Sequence, residues 1–145
     1  MATFKGGFPL TITPAVSSNP FGVGQHVNIV GDYHLAHRTP NAWFNTSAFV
    51  DAPQFDLGNA PRYFSDMRAP RYNNWDISIQ KYFPVHESIR FQFRLDMFNA
   101  FNHTNFYAPN TFLGKTPSDT PPGTFGAITQ SWAPRQMQAA LKLYW

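Results

Sequence analysis

The sequence has no cysteine, which excludes a disulfide framework, thiolate catalysis and cysteine-ligated metal. Charge is scarce: Asp, Glu, Lys and Arg make up 13% of the chain, about half the share of an average soluble domain. Glu87 is the sole glutamate, so a pair of glutamates for acid–base work is excluded. No run of about 18 apolar residues occurs, which excludes a membrane-spanning helix and leaves spanning strands open. The net charge of +3 comes with no Lys/Arg block, so a nucleic-acid partner is not expected. Gly-x-Ser-x-Gly, phosphate-loop and dinucleotide fingerprints are all missing. No catalytic residue, cofactor or metal is therefore assigned, and the chain is not expected to be an enzyme. The first residues, Met-Ala-Thr-Phe-Lys-Gly-Gly, carry no apolar leader core, so no signal peptide is expected.

What the chain does have is aromatic residues, 17% of it and mostly Phe, and strict alternation in three places. From Asn73 to Phe83 the odd positions hold Trp75, Ile77, Ile79 and Phe83, with Asn74, Asp76, Ser78 and Gln80 between them. From Ile89 to Met97 the odd positions hold Ile89, Phe91, Phe93, Leu95 and Met97, against Arg90, Gln92, Arg94 and Asp96. From Gln136 to Trp145 one parity is Met137, Ala139, Leu141, Leu143 and Trp145. Successive strand side chains point to opposite faces, so each run has one apolar and one largely polar face. Each is near the roughly 9–11 residues that a tilted strand needs to cross a bilayer. A soluble sandwich alternates too, but covers its apolar face with a second sheet.

The expected architecture is all-β: antiparallel strands of a transmembrane β-barrel at about 73–83, 89–98 and 134–145, with long loops over 16–71 and 99–133. The single short connection, 84–88, against two long ones matches the periplasmic turns and extracellular loops of outer-membrane barrels. Trp75 and Trp132 then fall near the outer interface, and Phe83, Tyr144 and Trp145 near the inner one. Lys81 interrupts the apolar face where its stem can lie in lipid and its ammonium reach the headgroups. Keeping Asp76 away from Asp96 favours pairing Asp76 with Arg94 and Gln80 with Arg90, which leaves a turn of Pro84–His86. Asp76, Arg90 and Arg94 are expected on the lumen wall. Phe8, Leu10 and Ile12 suggest a further short strand near the start.

Arg71-Tyr-Asn-Asn-Trp-Asp-Ile-Ser-Ile-Gln-Lys-Tyr-Phe83 and Ile89-Arg-Phe-Gln-Phe-Arg-Leu-Asp-Met-Phe-Asn-Ala-Phe-Asn-His-Thr-Asn-Phe106 resemble the carboxyl-terminal end of a TonB-dependent outer-membrane receptor. The subgroup is the Oar-like, carboxypeptidase-regulatory-like one. Phe125-Gly-Ala-Ile128, Pro134-Arg-Gln136 and the terminal aromatic strand fit that ending. Asn28-Ile-Val-Gly-Asp32 and Trp43-Phe-Asn-Thr-Ser-Ala-Phe49 resemble the outer loop before it. The resemblance implies that residues 1–145 are part of a plugged barrel of 22 strands, in the bacterial outer membrane, importing a scarce nutrient with energy from TonB. It implies as partners the outer-membrane lipid, the remaining barrel and plug, an unknown extracellular ligand, and the assembly machinery, which would read Leu141, Leu143 and Trp145. The competing class is a soluble all-β carbohydrate-binding module.

His26, His34, His37, His86 and His103 lack the surrounding ligands of a metal centre and read as loop histidines. His103 lies in Asn99–Phe106, where polar side chains are expected to tie a tight loop to its own backbone. Aromatic loop residues, among them Trp43, Phe44 and Tyr107, are the candidates for ligand contact. For any single one of them, packing of the long loops against each other is the stronger expectation.

Overall fold

The computed structural model describes residues 1–15, 24–87, 89–114 and 123–145. The parts of the two expected loops at 16–23 and 115–122, and Ser88 of the expected turn, lie outside the described residues. The strands are β1 Ala2–Lys5, β2 Pro9–Leu10, β3 Asn28–Ile29, β4 Phe49–Val50, β5 Phe64–Arg68, β6 Tyr72–Trp75, β7 Ile77–Pro84, β8 Arg90–Phe98 and β9 Gln136–Tyr144. A 3-10 turn, Thr46–Ala48, precedes β4, and these strands pair antiparallel. Two compact units result. The first is Met1–Gly6, Arg71–Asn105 and Trp132–Trp145; the second is Gly7–Pro70 and Phe106–Ser131.

In the first unit β7, β8 and β9 form one sheet in that order. The alternating sequence dictates its faces. Four rungs of one face read Ile77–Met97–Met137, Ile79–Leu95–Ala139, Lys81–Phe93–Leu141 and Phe83–Phe91–Leu143. The other face reads Ser78–Asp96–Gln138, Gln80–Arg94–Ala140, Tyr82–Gln92–Lys142 and Pro84–Arg90–Tyr144. β8 and β9 are nine residues each, about 30 Å of strand. At a tilt of about 40° they cover about 23 Å, close to the apolar band of an outer-membrane barrel.

The expected register is corrected. Gln80 faces Arg94 and Pro84 faces Arg90, a slip of four residues from the pairing of Asp76 with Arg94. An even slip leaves every side chain on its own face, so parity could not reveal it. The stabilising choice is made at Asp96, which accepts from Ser78 Oγ on β7, from Arg94 Nε and from Gln138 Nε2 on β9. Asp76, just before β7, instead accepts from Asn74 Nδ2 at 2.9 Å and the Asn99 N–H at 3.1 Å. The turn is correspondingly longer: the Val85 N–H donates to the Ile89 carbonyl at 2.9 Å, and the Ile89 N–H to that of His86 at 3.1 Å.

The alternating run that begins at Asn73 is broken at Asp76. Its first part, β6, leaves β7 and pairs with β1, with Ala2 opposite Trp75 and Lys5 opposite Tyr72. β1 is too short for its alternation to stand out in the sequence. Beyond β8 the chain turns on asparagines. Asn99 and Asn102 take left-handed backbone angles, φ 50° and 52°, which Asn tolerates better than most residues. The Asn99 amide grips both backbone groups of His103 at 2.9 Å. The Asn105 amide accepts from the Asn73 N–H and donates to the Asn73 carbonyl, both at 2.8 Å, extending the β6 hydrogen-bond ladder with a side chain.

In the second unit β2 pairs with β5 and β3 with β4. Leu10, Ile12, Val27, Phe44, Phe49, Phe64 and Met67 form its core. Phe49 meets Phe44 and Phe64 edge-on, at 5.6 and 5.8 Å between centroids, the geometry that aromatic pairs favour. Leu10 and Ile12 are buried while Phe8 is exposed, so that short run serves the core in part. Segments of two to five paired residues show no period, which is why the 16–71 stretch reads as loop. Side chains replace the missing ladder: Asn28 Oδ1 accepts from the Asn59 N–H and Asn59 Oδ1 from the Ile29 N–H, at 2.9 and 2.7 Å. Gly58 makes the adjoining turn possible; its φ is +80° and a Cβ there would sit 2.1 Å from the His26 carbonyl oxygen.

Candidate functional site

The three-stranded sheet is the feature with functional content. Its apolar face stays uncovered: Leu141 is 68% exposed and Ile79 51%. Burying a Leu, Ile or Phe side chain is worth about 1.5–3 kcal/mol, so eleven apolar side chains on one face demand an apolar surrounding. Large exposed apolar patches mark membrane or protein contacts. The soluble-module alternative needs a second sheet over this face. Lys81 is the only charge on it, and its ammonium lies 5.1 Å from the Phe83 ring centroid.

The opposite face is a hydrogen-bonded polar surface. Asp96 is buried beneath donors from all three strands, and Arg94 Nε stands 2.8 Å from its Oδ2. The Tyr144 hydroxyl donates to Gln92 Oε1 at 2.6 Å, and Gln92 Nε2 donates to Gln80 Oε1 at 3.3 Å. Arg90 lies between two rings, 5.9 Å from Tyr82 and 5.4 Å from Tyr144. The chemistry here is ion pairing and hydrogen bonding across strands. Asp76 does not join Arg90 and Arg94; it closes the Asn99 turn. Asp96, the centre of the network, is not among the site residues that the sequence suggested, although its place on the polar parity of a strand that also carries two arginines was a visible signal.

At the rim beyond β6, Trp75 meets Phe4 at 5.6 Å and Phe101 at 5.8 Å, both edge-on. All three rings are exposed, and an exposed aromatic ladder at the end of an apolar face suits a membrane interface. At the other end of the sheet Phe83, Tyr144 and Trp145 are exposed, as are Leu141 and Leu143.

In the second unit, His34 bridges two carboxylates, with Nδ1 at 2.7 Å from Asp32 and Nε2 at 3.0 Å from Asp66. The Tyr33 hydroxyl donates to the same Asp66 oxygen at 2.9 Å. The bonds to Asp32 and then Asp66 hold the His34 imidazole above its ordinary value of 6.5. Asp66 is lowered, chiefly by the Tyr33 hydroxyl, and Asp32, chiefly by the His34 N–H. No group of three or more metal-ligating side chains occurs among the described residues. Of the candidate ligand-contact residues, Phe44 is 2% exposed and packs the core, so it offers no surface to a ligand. Trp43 is half-buried and spends its Nε1 proton on the Arg68 carbonyl at 2.8 Å. Tyr107 is exposed.

No helix among the described residues is long and apolar enough to cross a membrane; a barrel crosses with strands. No curated protein and no solved structure matches the chain. A family model described as "Outer membrane beta barrel domain" matches residues 1–138, from β1 through the first residues of β9. With its antiparallel, two-faced spanning strands, this chain is a bacterial outer-membrane protein and belongs to the outer-membrane β-barrel domain family.

Proposed function

We propose that the chain supplies carboxyl-terminal barrel strands and outer loops of a TonB-dependent receptor that takes up a scarce nutrient. The observation that carries this reading is the open sheet. β7 and β9 each pair only with β8 among the described residues, yet the apolar face calls for lipid. Backbone N–H and C=O groups have no water to bond inside a bilayer, and each unpaired one costs several kcal/mol. Further strands must therefore flank both edges, which makes the sheet a segment of a larger wall. Its polar face, with Arg90, Arg94 and Asp96, then lines a wide, water-accessible lumen of the kind a plug fills. The likeness of Arg71–Phe83 and Ile89–Phe106 to receptor endings supplies the class.

In this role the chain does no chemistry. Ile79, Phe93 and Leu141 meet lipid, and the Arg94–Asp96 network stiffens the wall against the plug. The 85–89 turn faces the periplasm, and Leu141, Leu143 and Trp145 are offered to the assembly machinery. The test is the coding DNA around this sequence in its source genome. The reading expects the same frame to encode further alternating strands, a plug domain and a TonB-contacting segment. A frame that encodes a complete barrel without a plug overturns it.

A further inference from the structure

The ladder between β1 and β6 runs one step past both strands. After Ala2 opposite Trp75, the Met1 nitrogen donates to the Asp76 carbonyl and the Asp76 N–H to the Met1 carbonyl. In an antiparallel pair such mutual bonds recur at every second residue, and the residues between turn their backbone groups to the other edge. The odd residues do so here. Asn73 bonds to the Asn105 amide, the Trp75 carbonyl accepts from the Ala100 N–H, and the Val85 N–H reaches the Ile89 carbonyl. The first two partners follow β8 in the chain and the third precedes it, so this is the β8 edge. The pairing partner changes at Asp76, but the backbone alternation does not.

Ser78, Gln80 and Tyr82 therefore aim their N–H and C=O groups along the β1 edge, away from β8. Among the described residues, nothing pairs with that edge beyond Asp76. Pro84 has the same parity and no N–H to offer, so the open stretch ends there. The side chains of β1 agree with this placement. Ala2 and Phe4 share the face of Trp75, which is the parity of Ile77 and Ile79, and Phe4 meets the Trp75 ring at 5.6 Å. Thr3 and Lys5 share the face of Asn74 and Tyr72, the parity of Ser78 and Gln80. The four residues of β1 thus repeat the two-faced pattern of the wall.

We propose that β1 is the end of a fourth wall strand, and that the open edge of β7 takes the segment of a longer chain that leads into Met1. That segment runs antiparallel to β7 in the register of β1 and β6. Its first, third and seventh residues before Met1 are apolar and lie opposite Ile77, Ile79 and Phe83. Its second, fourth and sixth lie opposite Ser78, Gln80 and Tyr82, exchange both backbone bonds with them and carry polar or small side chains. A bilayer has no water for those backbone groups, and a strand that continues β1 meets all of them in a ladder already begun. The inference rests on the open sheet of the function proposed above and not on TonB.

The experiment is disulfide trapping in a cysteine-free form of the complete barrel, read by gel mobility with and without reductant. Ile79 and the third residue before Met1 form a pair without mutual backbone bonds. Such Cα atoms stand about 4.5 Å apart, within disulfide reach. Ile79→Cys should cross-link within one chain at least tenfold more to a cysteine at that third position than to one at the second or fifth. Phe83→Cys with a cysteine at the seventh position repeats the reading if Ile79→Cys does not assemble. Equal trapping at the control positions, a cross-link between two copies, no cross-link in either pair, or a coding frame that opens at Met1 overturns the proposal. The outcome is separable from the receptor reading. A plugless barrel that traps in this register upholds the inference and overturns the receptor, and a plugged receptor with another strand on β7 does the reverse.

Discussion

At the scale of single residues, two side chains hold whole segments in place. His34 ties its loop to β5 through Asp66 and to its own turn through Asp32. Arg38 and Tyr33 also face this cluster, Arg38 through the Asp66 carbonyl. A raised imidazole contributes fully below about 6.5, its ordinary value, and loses that contribution as pH climbs through its folded value. The lowered aspartates contribute above about 3.8 and lose it as pH falls through theirs. The loop is thus held best between those limits, and the cluster's exposure keeps the effect small. A proton NMR titration of His34 should give a midpoint above 6.5 that drops in Asp66→Asn and in Asp32→Asn. A midpoint unmoved by either change contradicts the bridge. Asn105 is the second such residue. Asn105→Ala strips both hydrogen bonds from the Asn73 backbone, at a cost of about 1–3 kcal/mol, readable by urea unfolding in detergent. A change near zero would show that the side chain does not continue the ladder. Neither role was legible in the sequence, because the partners lie 32 residues away in each case. The Asn-rich run itself was legible as a tight turn, since Asn is the residue that tolerates left-handed angles.

At the scale of elements, the three long strands announce themselves because little besides a two-faced strand produces an apolar–polar alternation over eight or nine residues. Their faces follow from parity. Their register does not, since any even slip preserves parity; Asp96 and its three donors decide it. The strands of the second unit are hidden for a different reason. Their pairing covers two to five residues, and Phe44, Phe49 and Phe64 converge from separate segments to make the core. Phe44 illustrates the point: an aromatic in a Pro- and Gly-rich stretch can be read as packing or as a ligand contact, and its burial decides for packing. Phe93 lies midway along β8 on the apolar face, so Phe93→Arg should destabilise the folded, lipid-embedded protein by about 2–4 kcal/mol. Ala140→Glu, which puts a charge on the polar face opposite Arg94, should cost below about 1 kcal/mol. Reversible unfolding of the complete barrel from phospholipid vesicles measures both, and equal costs would mean that the faces are misassigned. Gln92 would be a poor control for that comparison, because it is buried and bonded to both Tyr144 and Gln80.

At the scale of the molecule, the account rests on one physical demand. An apolar face this broad and a hydrogen-bonded polar face on its reverse are stable together when one meets lipid and the other water. The rim of exposed aromatics, the nine-residue strands and the family match on residues 1–138 agree with a barrel wall. The chain has no cysteine of its own, so an introduced thiol has no competitor within it. Spin labels at Ile79→Cys, Phe93→Cys and Leu141→Cys, and at Gln80→Cys, Arg94→Cys and Ala140→Cys, can be compared in the complete barrel in vesicles by collision with oxygen and with a water-soluble nickel complex. The account predicts that the first three collide with oxygen and are shielded from nickel, while the second three show the reverse. Equal access to nickel at both sets would contradict a lipid-facing sheet and, with it, the barrel wall on which the functional reading stands.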